Sequence, residues 1–231
     1  EPGAPFGKDV RKCLDYALNF CSKMGMQTKV IEDRVGYAEY GSGPKEIAVL
    51  VHLDVVPVDE EQWHYGPFQG VMEDNKIYGR GALDDKGPAV SAIFAVKRLI
   101  DDVKKWTKRV RIIFCTDEES GWADLPSYLA SEKQPDFAFT PDAAFPLVFA
   151  EKGILHVECD VALPANSWFK DFSGGLRPNI VPELCQIKVD PRIEHKLEKV
   201  KHQDFKITFE GKAAHASLPE NGKNAVVKAL S

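Results

Sequence analysis

No stretch of this chain approaches the roughly 20 consecutive apolar residues that a membrane-crossing helix needs. A cationic start followed by an apolar run is also missing, so nothing resembles a secretory leader. Glu1 is not a natural start, however, and a few residues are expected to precede it. Positive charge is in deficit, with 30 Lys and Arg against 35 Asp and Glu and a net charge of -5. That balance argues against a nucleic-acid or anionic-membrane surface. The five cysteines (Cys13, Cys21, Cys115, Cys159 and Cys185) are odd in number, widely spaced and set among apolar neighbours. None belongs to a CxxC pair, so they are expected as buried reduced thiols in a cytoplasmic protein. Internal repeats and low-complexity segments are absent too.

What remains is an ordinary globular composition: 231 residues, 44% hydrophobic and 28% charged, enough for a sizeable core. Val10, Cys13, Leu14, Ala17, Leu18, Cys21 and Met24 recur at helical spacing and predict a helix over residues 7–24, stopped by Gly25. Short strands are expected at Lys29–Ile31 and Val35–Tyr40. Ile47–Val51 is a continuous apolar run, the mark of a strand covered on both faces, and Val110–Phe114 is expected as another buried strand. Between them lie a loop at Trp63–Phe68, a hairpin at Val71–Tyr78 and a helix from Pro88 to about Val103. That helix carries Val90, Phe94, Ala95, Leu99 and Val103 on one stripe. A short helix at Trp122–Ala130 and a strand at Phe137–Phe139 follow. Strands alternating with helices predict an α/β, doubly wound, mainly parallel sheet in a first domain, 1–153.

After Gly153 the pattern changes to a period of two. Leu155, Val157, Cys159 and Val161 alternate with polar residues, and the alternation recurs at Ile187–Val189 and Phe205–Phe209. These predict half-exposed antiparallel strands in a partial α+β lid domain, 154–231, ending in a helix from Asn224.

The chemistry lies at the ends of the predicted strands, where an open α/β sheet places its ligands. His52 and Asp54 are two apart on a strand and share a face, so the imidazole can bind a metal while the carboxylate orients it. Asp84 and Asp85 open the second helix. Glu118 and Glu119 follow a buried strand, and Asp142 follows the next. Taken singly, each cluster has an ordinary alternative: a core histidine bonded to aspartate, a helix cap, surface glutamates, a turn. Taken together, four carboxylates and one imidazole in one crevice would repel severely without cations. Oxygen-rich sites with one imidazole suit zinc, cobalt or manganese, and point to metal-assisted hydrolysis.

The motifs HLDVVP, YGRGALDDKGP, TDEESGW, TPDAAFP and GKAAHASLPENGKNA occur in that order along nearly the whole chain. In this it resembles the dinuclear zinc superfamily of aminoacylases and carboxypeptidases, and most of all its bacterial dipeptidase V and carnosine-cleaving branch. The resemblance implies two divalent metal ions, with zinc first and cobalt or manganese as alternatives. His52, Asp84, Glu119 and Asp142 would be ligands, Asp84 bridging, with a cis peptide between Asp84 and Asp85. Glu118 would be the general base and Asp54 the support of the imidazole. His215 would reach the substrate carbonyl from the lid, and Asn179 would be a substrate-side contact. A small peptide is the implied substrate. An N-acyl-amino-acid deacylase or desuccinylase and a non-catalytic metal-binding relative stay open as alternatives, as does pairing of two copies through the lid.

One departure stands out. The family completes its ligand set with a histidine far toward the C-terminus, and His64, His156, His195 and His202 match no such motif. His64 belongs to an aromatic loop, and the other three are expected on the lid surface. The chain is therefore expected to be part of a larger protein.

Overall fold

The computed structural model describes residues 1–231 except 59, 61, 62, 145, 197–201, 204 and 217; for 194–196, 202 and 203 it describes the backbone alone. The side chains of His195 and His202, expected on the lid surface, thus lie outside the described residues; His156 is exposed. The chain divides into two compact units, Glu1–Val148 and Phe149–Ser231. Among the described residues no helix is long and apolar enough to cross a membrane.

In the first unit, helix α1 (Lys8–Lys23) leads into strands β1 (Gln27–Ile31), β2 (Val35–Gly41) and β3 (Lys45–His52). A hairpin of β4 (Val71–Glu73) and β5 (Lys76–Tyr78) turns through Asp74 and Asn75, both at positive φ, as a polar two-residue turn requires. Helix α2 (Gly87–Asp102), β6 (Lys108–Cys115), α3 (Leu125–Ser131) and β7 (Phe137–Phe139) complete the unit. The five-stranded sheet has the order β1-β2-β6-β3-β7. Its central strands β6, β3 and β7 are parallel, and the β1–β2 hairpin adds an antiparallel edge.

Helices cover both faces, as the apolar runs require. On β6, Ile112 and Phe114 face α1 and α2, packing with Leu14, Leu18, Cys21, Ala89, Ile93 and Val96. Ile113 and Cys115 face the other way, with Tyr37, Ala48 and Tyr128 of α3. Each fully buried Leu, Ile or Phe of this kind contributes about 1.5–3 kcal/mol.

Three expectations about elements need correction in this unit. The stripe expected to bury on α2 is the wrong one: Val90, Phe94, Leu99 and Val103 are exposed, while Ala89, Ile93 and Val96 are buried. At about 100° per residue Val90 and Leu99 lie on opposite sides of the helix, so the expected set is no single stripe, whereas Ala89, Ile93, Val96 and Ile100 recur at helical spacing and pack on the sheet. Asp84 does not open the helix. It sits in extended backbone (φ -119, ψ 99) inside a turn at Ala82–Lys86, and α2 begins only at Gly87. The helix expected from Trp122 starts at Leu125, because Trp122 has φ 57 and its N–H closes a turn onto the Asp117 carbonyl.

In the second unit, β8 (Phe169–Gly174), β9 (Leu184–Val189), β10 (His202–Gln203) and β11 (Lys206–Glu210) form an antiparallel sheet of order β10-β11-β9-β8. Cys185, Ile187 and Val189 point inward against Ile207 and Ala225. Ala225 belongs to α4 (Ala225–Leu230), whose first turn is capped by the Asn224 side chain accepting from the N–H of Val226 and Val227. The strand expected at Leu155–Val161 does not form. That segment finds no strand partner among the described residues, and alternation without a partner leaves no ladder to stabilise. Leu155, Val157 and Val161 are accordingly exposed.

Candidate metal centre

Parallel strands end at one edge, and here the register brings three ends together. His52 lies opposite Cys115, and Val49 opposite Phe139, so the segments after β3, β6 and β7 leave the sheet side by side. These segments carry His52 and Asp54, Glu118 and Glu119, and Asp142. The turn before α2 adds Asp84 from the side. Gly81 admits it: at φ +84 it is left-handed, and a Cβ there would sit 2.7 Å from Val55 and from the Lys86 amine.

His52 is the centre of the cluster. Its side chain is only 2% exposed, and the Asp85 carboxylate accepts its main-chain N–H at 3.0 Å. Ring Nδ1 faces the Asp54 main-chain carbonyl at 3.0 Å. A carbonyl only accepts, so Nδ1 carries a hydrogen. Nε2 then points at carboxylates alone: Asp84 Oδ1 at 2.8 Å, Asp142 Oδ2 at 3.4 Å and Glu118 Oε2 at 4.0 Å. A lone pair facing carboxylate oxygens requires a proton or a metal ion between them. In the metal-free chain a proton takes the place: burial alone would lower the His52 pKa, but the hydrogen bonds to Asp54 and Asp84 raise it to about 10.

Asp54 does more than support the imidazole. Its carboxylate lies 3.5 Å from Nδ1 and accepts the main-chain N–H groups of Glu118 (3.2 Å) and Glu119 (3.0 Å). Those bonds fix the turn that presents the two glutamates. Burial opposes its ionisation, but these bonds and His52 hold its pKa below the usual aspartate value. The other carboxylates go the opposite way. Burial first, then neighbouring negative charge, raises Glu118 to about 7 against the pull of His52, and raises Glu119 and Asp142 as well. Asp85, buried behind the site, is raised to about 6.

Two overlapping groups of donor atoms emerge, His52 with Asp84 and Glu119, and His52 with Glu118 and Asp142. Within each, the atoms lie within 4.8 Å of one another. The five clustered residues expected from the sequence are thus brought together. The peptide between Asp84 and Asp85 is cis, as the resemblance implies. Two shaping residues were not anticipated. Asp124, fully buried, accepts the N–H of Thr116 at 2.6 Å, and Asp117 accepts the N–H of Ala123 at 2.9 Å. Between them they fold the turn around Glu118 and Glu119. Asp124 just before Leu125-Pro126, a usual helix-start pattern, was the available signal.

Asn179 and His215 belong to the second unit, where they lie on adjoining segments. Ile180 bridges His215, and the Ala216 N–H donates to the Asn179 carbonyl at 2.8 Å. Nearby, Gly211 admits the bridge of Lys212 to Lys223, because a Cβ there would meet the Lys223 carbonyl oxygen at 2.0 Å. His64 stacks edge-on with Tyr65 in its loop, ring centroids 4.5 Å apart.

Residues 48–231 match the model of peptidase family M20/M25/M40. The chain belongs to that family. It is 36% identical over 97% of its length to a putative dipeptidase, YtjP, of Bacillus subtilis (strain 168), covering 53% of that protein. A putative dipeptidase of Staphylococcus aureus (strain USA300) is 34% identical over 96% of the chain and is covered to 52%. The chain thus spans about half the length of the curated relatives it matches. Among solved structures, the M20 family metallo-carboxypeptidase Sso-CP2 of Sulfolobus solfataricus superposes with a TM-score of 0.53 at 28% identity, over 60% of this chain and 33% of that one. Human carnosine dipeptidase 1 shares the fold, with a TM-score of 0.52 at 24% identity over 59% of this chain and 33% of its own.

Proposed function

We propose that this M20/M25/M40 family member is a metal-dependent peptidase acting on dipeptides, with divalent ions held by His52, Asp84, Glu119 and Asp142. One observation carries the reading: His52 Nε2 faces the carboxylates of Asp84 and Asp142 while Nδ1–H is held from behind by the Asp54 carbonyl. That is the tautomer and orientation of a metal-ligating imidazole. Oxygen donors with one nitrogen suit zinc, cobalt or manganese, zinc being the ion we infer. Bound there, such ions supply Lewis acidity that brings the pKa of a water toward 7.

The chain's own residues supply the rest. Glu118, whose carboxylate lies in the crevice 4.0 Å from His52 Nε2, can accept a proton from the attacking water and return it to the leaving amine. Asp54 keeps it in place through its main chain, because both N–H groups of the Glu118–Glu119 pair end on one carboxylate. Unit 1–148 would be the catalytic domain and unit 149–231 a lid. His215 would donate to the oxygen of the scissile carbonyl as negative charge develops on it, with Asn179 alongside. The relatives aligned along almost the whole chain are named as putative dipeptidases, which supports the choice of dipeptides.

The test is a substrate panel on the intact protein, dipeptides including β-Ala-His against N-acyl amino acids, with metal content measured alongside. Dipeptide turnover that disappears with chelator and returns with zinc is expected. Turnover of N-acyl amino acids alone would make the protein a deacylase, and turnover indifferent to chelator would refute the metal. His215→Ala should lower kcat by roughly a hundredfold, the loss typical of one oxyanion donor, with metal content intact.

A further inference from the structure

Asp85 is fully buried, and its place is decided by where β7 stops. Successive N–H groups of a strand point to opposite sides. On β3, the N–H of Leu53 goes to the Cys115 carbonyl on the β6 side (2.9 Å), so that of His52 points toward β7. The register of β7 with β3 runs only from Ile47 to Val49, three residues short of His52. The His52 N–H would therefore end unpaired at a buried position. The Asp85 carboxylate takes up the ladder there, accepting it at 3.0 Å through Oδ2. Its other oxygen, Oδ1, is buried with no hydrogen-bond partner among the described residues. One hydrogen bond to one ligand residue is thus the polar contact that this buried carboxylate makes.

The neighbouring residue grips the same histidine from its other end. Asp84, whose side chain is 57% exposed, turns the opposite way and meets His52 Nε2 at 2.8 Å. Consecutive carboxylates hold one residue by backbone and by ring. We infer that Asp85 is a positioning residue of the metal centre: its hydrogen bond to the His52 main chain sets the direction of Nε2 and couples the turn carrying Asp84 to the end of β3. It rests on the metal-centre reading above. A purely architectural role would need only that the strand end be filled, whereas a positioning role needs an acceptor at that oxygen.

The experiment titrates the metal-depleted intact protein with cobalt(II), reading affinity by chelator competition and ligand geometry from the visible absorption of the bound ion. Three variants are compared, each with its melting temperature: Asp84→Ala, Asp85→Ala and Asp85→Asn. Asp84→Ala should lose the ion. Asp85→Ala should weaken binding by about 10–100-fold, the range seen when a ligand's supporting partner is removed, and alter the cobalt spectrum. Asp85→Asn, which keeps an acceptor oxygen, should restore both. A folded Asp85→Ala with wild-type affinity and spectrum overturns the inference, as does Asp85→Asn as weak as Asp85→Ala, since charge would then be what matters. If Asp85→Ala does not fold, Asp85→Asn decides alone: a wild-type spectrum and affinity support the inference, and a tenfold loss or more ends it. Wild-type cobalt binding by Asp84→Ala would instead refute the metal centre itself.

Discussion

Around Arg111, in the body of the sheet, three glutamates share a cation that the chain supplies; at the ends of the same strands, a comparable group of carboxylates shares one imidazole. Arg111 is 4% exposed. Its guanidinium bonds Glu39 at 2.7 and 3.0 Å, Glu132 at 3.1 Å and the Tyr128 hydroxyl at 2.9 Å, and lies 3.3 Å from Glu46. Its face stacks 4.0 Å from the Tyr37 ring centroid. The result is a closed network in which Glu132, despite its burial, is held below the ordinary glutamate pKa by Lys29 and Arg111. At the crevice the sign reverses. Glu118, Glu119 and Asp142 are pushed up, and Asp54, Asp84, Glu118 and Asp142 each pair with the one imidazole of His52. The same fold thus neutralises one acidic cluster internally and leaves the other in excess. The divalent ions proposed above would balance that excess.

The sharpest way to break this comparison is to remove the residue that gives the crevice its chemistry. Glu118→Ala should cost kcat about 10²–10⁴-fold, the range for a general base, while elemental analysis finds the metal retained. Wild-type turnover would take Glu118 out of that role. Arg111→Met tests the other cluster. It leaves Glu46 buried and Glu39 and Glu132 half-buried without the cation they share, Glu46 keeping Arg109 at 2.9 Å and Glu132 keeping Lys29; breaking a buried pair typically costs about 3–5 kcal/mol, read by urea unfolding. A loss below about 1 kcal/mol would show that Arg111 is not what holds those glutamates together.

The two clusters were unequally legible in the sequence. The crevice was visible because its residues sit at the ends of apolar runs, and apolar runs covered on both faces are unambiguous strands. His52 follows one directly, and Glu118 and Asp142 come within four residues of the strands before them. The Arg111 network was not visible, since Arg111 interrupts a β6 run otherwise read as apolar and its partners Glu39, Glu46 and Glu132 come from distant segments. Only the register of β2 against β6, Glu39 opposite Arg111, reveals that pair. The α2 stripe failed because its residues do not share one helical face, and the Leu155–Val161 strand failed for want of a partner. Periodicity reports what a segment could bury, and the partner that decides what it does bury is not in the pattern.

Protons offer a finer test of the excess charge. In the metal-free chain, Glu118 holds its proton to about 7 against 4.5 in an unfolded chain, and His52 to about 10 against 6.5. Between pH 4.5 and 10 the folded state therefore binds more protons than the unfolded one, and stability must fall as pH rises. The depressed Asp54 works the other way only in more acidic solution, below its ordinary aspartate value of 3.8. The loss should appear as a melting temperature in chelator that falls across pH 5 to 9. Metal replaces those protons, so the gap between loaded and chelated protein should widen over the same range. A metal-free melting temperature that stays level or rises with pH would mean the crevice carries no such excess.

The smallest effect belongs to the rim of the balanced cluster. Lys29 is half-exposed and pairs with Glu132 at 2.7 Å. Glu132 keeps Arg111 and the Tyr37 hydroxyl (3.2 Å) without it. Lys29→Met should therefore cost only about 0.2–1 kcal/mol, and less in high salt. In the Arg111→Met background the same change should cost more, because Lys29 is then the remaining cation that meets Glu132. Urea unfolding of the double-mutant cycle reads the difference, and strict additivity would mean the two cations do not share the glutamate.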